Sequence, residues 1–258
     1  MKPSRLPLLI TAVVLLFFYL PIALLVLHSF NESRYGTAWQ GFTWKWYEAL
    51  FQRADLWRAL QNSLGIAFLA SLLAMILGTS AAFALHRFRS RWQNAHRVLL
   101  ALPLVLPEVL IGMSLLSFFV ALKVPLSMVT VTIAHITFCL GYVALVVQAR
   151  LQDFDFSVID AARDLGATRF QANLRVMLPL LAPGIVAGGL LAFTLSIDDF
   201  VVTFFVSGAG ADTLPLKINS MIRHSKELPV INALSTLLLL ATFFLVALSQ
   251  RLLRRKAG

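Results

Sequence analysis

Charged residues are scarce in this sequence. Asp, Glu, Lys and Arg make up 13% of its 258 residues, against roughly 25% in a soluble domain. That shortage excludes an ordinary soluble protein. Cysteine is almost absent: the single Cys139 lies in an apolar run, so no disulfide framework exists. Without a Cys/His cluster, no metal site is expected. None of the six lysines follows a glycine, which excludes a P-loop and ATP hydrolysis by that route. G-x-S-x-G and H-E-x-x-H are missing too. No linker, low-complexity tract or internal repeat interrupts the chain, so residues 1–258 read as one helical membrane domain.

What fills the chain is apolar. Hydrophobic residues reach 59% and the mean hydropathy is +0.81, the signature of an integral membrane protein. The net charge of +10 does not call for nucleic acid. The basic residues sit beside apolar runs, where membrane topology places them.

Six segments reach the roughly 20 residues that a bilayer helix needs. They lie near 8–29, 62–86, 98–121, 126–149, 180–206 and 232–250. The first follows Lys2 and Arg5 like a signal peptide, but exceeds the roughly 7–15 apolar residues of a signal core. No small-x-small cleavage site follows it, so it reads as a retained helix. An even number of spans puts both termini on one side. Loops 1–7, 86–97, 150–179 and 251–258 share that side and carry 14 of the 22 basic residues. The positive-inside rule makes it the cytoplasm.

The loops have character of their own. Tyr35, Trp39, Trp44, Trp46, Tyr47 and Trp57 read as an aromatic belt at the outer interface. Leu216 to Ile222, in the last outer loop, suits a short interfacial helix. Gly184-x-x-x-Gly188 suits close helix packing.

Acidic residues inside spans are costly, yet three occur. Glu108 follows Pro107 in the third span, and Asp198 and Asp199 adjoin in the fifth. On a continuous helix these two aspartates point about 100° apart. One then faces a pathway while the other bonds a neighbour. No Lys or Arg in the same spans balances them, and a cationic substrate would. His135, Thr137 and Asn62 are also polar in or near spans. They read as hydrogen-bonded packing residues.

The 150–179 loop contains "DAARDLGATRFQANLRVMLP". Its first half favours helix, Gly166 interrupts, and a second helical run leads to Pro179. Ala161 and Ala162 make the elbow small enough to seat in a groove. This stretch resembles the E-A-A-x-x-x-G signature of bacterial ABC importer permeases. Asp160-Ala161-Ala162, Gly166 and Val176-Met177-Leu178-Pro179 match it in spacing, with Asp160 in place of Glu. In that family the elbow is the coupling helix, here Asp160, Ala161, Ala162, Asp164, Leu165, Gly166 and Ala167, which docks on an ATPase subunit. "SFNESRYGTAWQGFTWKWYEAL", "AHITFC" and "AFTLSIDDFVV" resemble the spermidine/putrescine permeases of the PotC and PotI type.

The resemblance implies the six-helix, all-α fold of a type I ABC importer permease in a bacterial inner membrane. It implies no cofactor in this chain, since ATP and Mg would be bound by two partner ATPase subunits. The further implied partners are a second homologous permease subunit, a periplasmic polyamine-binding protein and membrane lipid. Asp198, Asp199 and Glu108 would then line the substrate pathway. The competing reading is a cation- or proton-coupled secondary transporter, which usually shows an internal repeat.

Overall fold

The computed structural model describes residues 6–34, 38–88, 90–224 and 228–256, with side chains omitted at 224 and 245–256. Lys2, Arg5, Tyr35 and Arg89, weighed above for topology and the aromatic belt, lie outside the described residues, as do the side chains of Arg251, Arg254, Arg255 and Lys256. Helix dominates. In chain order the helices are α1 (Leu6–Ser29), α2 (Lys45–Gln52), α3 (Ala54–Arg87), α4 (Gln93–Val105), α5 (Glu108–Ala121) and α6 (Met128–Gln152). Then come α7 (Ser157–Asp164), α8 (Arg169–Ala172), a π-helical turn at Asn173–Met177, α9 (Leu178–Asp198), α10 (Val201–Val206), α11 (Leu214–His224) and α12 (Leu228–Lys256).

Four helical stretches are long and apolar enough to cross a membrane: Leu6–Ser29, Ala54–Arg87, Met128–Gln152 and Arg169–Ile197. The third predicted span is not one straight helix. Its two halves, α4 and α5, meet at 111°. Pro107 has no amide to continue the ladder and pushes its predecessor out of the helical region. Leu106 is accordingly extended, with ψ 139°. The fifth predicted span also breaks, because Asp199 is extended with ψ 124° between α9 and α10. The sixth corresponds to α12, whose described side chains include the apolar run Leu228–Phe244.

The chain divides into two compact units, Met1–Trp57 with Lys217–Gly258, and Arg58–Leu216. In the first, α12 packs on α1 and α2. The aromatic loop is tied down by the buried Asn31, whose amide donates to the Ala38 carbonyl at 2.7 Å. Its carbonyl oxygen accepts from the Gln40 amide at 2.9 Å. Trp46 donates to the Asn31 backbone carbonyl at 2.7 Å, and Tyr47 shares a hydrogen bond with Ser29 at 2.7 Å. Trp46 and Tyr47 therefore pin a folded loop, while Trp39 and Trp44 are 56% exposed. Asp55 joins this unit's segments, meeting Arg53 and Lys217 at 2.9 Å each.

In the second unit α6 is the central helix. Val131, Ala134, Cys139, Val143 and Val147 on it are fully buried, and α4, α9 and α10 pack around it. Glycines allow the approach. A methyl group on Gly141 would press on the Leu100 carbonyl of α4, and one on Gly188 would sit 3.4 Å from the Val143 backbone of α6. Gly208 is the tightest of the described glycines, lying against the Leu126 carbonyl just before α6. Gly208→Ala should therefore destabilise this unit by about 1–3 kcal/mol. Thermal unfolding in detergent reads the effect, and an unchanged midpoint would contradict this packing.

Candidate functional site

The acidic pair sits where the fifth span is broken. Helix α9 ends at Asp198, and Asp199 turns the chain into α10. The sequence expectation of two aspartates on one continuous turn is thus corrected, and their directions follow from the break. The Asp199 carboxylate is turned onto α10. It accepts from the Val202 amide at 3.3 Å, from the Thr203 amide at 2.8 Å and from the Thr203 hydroxyl at 2.7 Å. His135 of α6 completes the set, its Nε2 lying 3.3 Å from Asp199 and 2.9 Å from the Thr203 hydroxyl.

Proton logic assigns the donors. The Thr203 hydroxyl has one proton, which goes to the carboxylate, so it accepts from His135 Nε2–H. The other ring nitrogen, Nδ1, is 2.6 Å from the Ser196 hydroxyl of α9. His135 is thus a hub joining α6, α9 and α10, and it is completely buried. Burying a carboxylate is tolerable when its lone pairs are met by donors in this way. Sequence reading anticipated a hydrogen-bonded His135 but not its pairing with Asp199, nor the parts of Ser196 and Thr203. The available signal was polar residues three before and four after Asp199 in an apolar run.

Asp198 differs from its neighbour in every respect. It is exposed, and its carboxylate makes no bond to another described residue. Glu108 is the first residue of α5, also exposed, and directly follows the Pro107 kink. No hydrogen bond or ion pair among the described residues joins it to either aspartate. Helix α10 packs on both α5 and α6, so the acids share one unit. Among the described residues Thr137 bonds its own helix, to the Ile133 carbonyl at 2.8 Å, whereas Asn62 donates to the Gly210 and Asp212 carbonyls at 3.2 and 2.9 Å.

The 150–179 loop forms a helix, a glycine turn and a second helix. Asp155 opens α7, and the Ser157 hydroxyl, with its amide at 2.9 Å, holds the Asp155 carboxyl below the usual carboxylate range. The closing turn is a Schellman motif. The Ala167 amide bonds the Ala162 carbonyl, the Gly166 amide bonds the Arg163 carbonyl, and Gly166 has φ +91°. Thr168 and Gln171 then form a reciprocal capping box that starts α8. Asp160, Ala161, Asp164 and Gly166 are exposed and Ala162 is half-buried, with Leu165 at the tip 90% exposed. Beyond its chain neighbours, no described residue lies within 4 Å of where a Gly166 side chain would begin. No group of His, Cys, Asp and Glu suited to a metal occurs among the described residues.

Comparison with known proteins decides the family. The model of the binding-protein-dependent transport system inner membrane component family matches residues 74–258. The chain belongs to that family. It is thus a multi-pass inner-membrane permease subunit that works with a binding protein, and is not itself an enzyme. The chain is 41% identical to the spermidine/putrescine permease PotC of Haemophilus influenzae over 94% of each protein. It is 45% identical to the putrescine permease PotI of Escherichia coli over 86% of this chain and 82% of that one. A bacterial ABC transporter that imports alginate shares the fold at TM-score 0.74 and 15% identity, over 97% of this chain and 98% of that one. An amino acid ABC transporter does so at TM-score 0.60 and 19% identity, over 81% and 99%. The all-helical permease fold of type I ABC importers is therefore this chain's fold.

Proposed function

We propose that this chain is the membrane-spanning subunit of an ATP-driven importer of polyamines. The observation that carries the substrate class is its kinship with spermidine and putrescine permeases along nearly the whole chain. A polyamine is a flexible chain of ammonium groups, and an exposed carboxylate at a break in a span suits it chemically. A binding protein delivers the polyamine outside. A second, homologous permease subunit completes the pathway, and two ATPase subunits bind ATP and Mg. Both termini lie in the cytoplasm, together with the elbow around Gly166. There the elbow, Asp160 to Ala167, seats on an ATPase subunit and carries its closure to the spans.

Asp198 and Glu108 meet the passing cation. Asp199 serves the same route from behind, by fixing the break that presents Asp198. The contact is weak, since transport needs release as well as capture.

ATP hydrolysis tests the arrangement. The purified chain alone should show no ATPase activity. The assembled complex should hydrolyse ATP faster with polyamine-loaded binding protein than with the empty protein. Robust hydrolysis by the chain free of other subunits would overturn this reading.

A further inference from the structure

A groove of about 830 Å³ opens where the end of α3 faces α7, α8 and the π-helical turn. Its lining mixes apolar and charged side chains. Along α3, Phe83 and Ala84 precede Arg87, and along the next helical stretch Leu174, Met177 and Leu178 follow Arg169. Arg163 and the Asp160 carboxylate of α7 line it too. Arg163 lies 3.7 Å from Asp160 and keeps a partial partner. Arg87 and Arg169 are exposed, and neither has an ion-pair partner among the described residues. The mouth therefore carries more positive charge than it can balance.

Position narrows the occupant. The apolar wall comes from the ends of two stretches long and apolar enough to cross a membrane, Ala54–Arg87 and Arg169–Ile197, a position suited to the boundary between acyl chains and headgroups. A molecule filling this groove needs an apolar body toward the spans and an anionic group at the three guanidiniums. Water-soluble anions satisfy only the second requirement. The acidic surface of a cytoplasmic protein would not extend along span walls. Basic pockets between helix ends at a membrane surface are suited to anionic lipid headgroups, and guanidiniums pair with phosphate through two parallel hydrogen bonds.

We propose that this groove is a binding site for an acidic phospholipid, with the phosphodiester held by Arg87 and Arg169 and an acyl chain laid against Phe83 and Leu174. The site goes beyond the transport reading and does not depend on what is transported. Because α7 forms one wall, the lipid braces the elbow against α3.

Native mass spectrometry of the detergent-solubilised full chain, alone and co-purified with its ATPase partner, tests the site. Phosphatidylglycerol and phosphatidylcholine are titrated separately. The wild-type chain should hold one phosphatidylglycerol more tightly than any phosphatidylcholine. R87Q/R169Q should weaken that binding by about thirtyfold, and R87K/R169K, which keeps the charge but loses the planar fork, should fall between the two. Equal retention of the two lipids by wild type overturns the proposal without recourse to any variant. So does equal phosphatidylglycerol retention by wild type and R87Q/R169Q. If wild type shows no lipid preference and R87Q/R169Q loses only the ATPase subunit, the groove is a protein-docking surface and the proposal fails.

Discussion

Asp198→Asn in the assembled importer is expected to lower polyamine uptake roughly tenfold, the factor that ~1.4 kcal/mol of lost stabilisation represents, while leaving the complex intact. Asparagine keeps the shape and removes the charge. The Asp198 carboxylate makes no bond to another described residue, so the fold loses nothing by the change. Asp199→Asn should behave differently. Its two carboxylate oxygens receive the Val202 and Thr203 amides. An asparagine has only one oxygen, so one amide would face an NH₂ group instead. Leaving a buried donor unmet costs about 1–3 kcal/mol. Asp199→Asn should therefore lower the unfolding midpoint as well as uptake, and His135→Leu should do the same by removing the hub. Paired measurements of uptake and thermal unfolding separate the two roles. Equal stability losses for Asp198→Asn and Asp199→Asn would contradict the division.

The second large effect is expected at Gly166. Its φ of +91° is reached easily by glycine and poorly by other residues. A β-branched residue there is strained by about 1–3 kcal/mol. The chain itself leaves open space at that point, so the protein should still insert and fold. On the proposed docking, the partner would meet the added side chain. Gly166→Val should lose the ATPase subunit, or abolish substrate-stimulated hydrolysis, while Gly166→Asn, whose side chain tolerates left-handed backbone, should be milder. Co-purification and stimulated ATPase activity measure this. Normal values for Gly166→Val would show that the elbow does not couple the subunits.

The elbow was legible because its determinants are local. A glycine past a helix end specifies its own turn, and Gly166 makes that turn where "DAARDLGATRF" puts it. The Thr168–Gln171 box that restarts the helix is equally local but was not read from the sequence. The apolar runs were legible for the same reason, since a bilayer asks only for length and hydropathy. The breaks were less so. Pro107 marks a kink, but the 111° angle depends on what α5 packs against. The partnership of His135 and Asp199 could not be read, because 64 positions separate them and periodicity says nothing of which distant polar groups meet. The unequal standing of Asp198 and Asp199 was hidden likewise. Adjacent and identical in the sequence, they part only where the backbone leaves the helix.

Uptake of radiolabelled spermidine or putrescine by vesicles holding the complete complex tests the central claim most directly. Accumulation should require ATP inside the ATPase compartment and loaded binding protein on the opposite face. It should persist when ionophores collapse every ion gradient. Accumulation by this chain alone, driven by a proton or cation gradient without ATP, would contradict the account and establish a secondary transporter in its place.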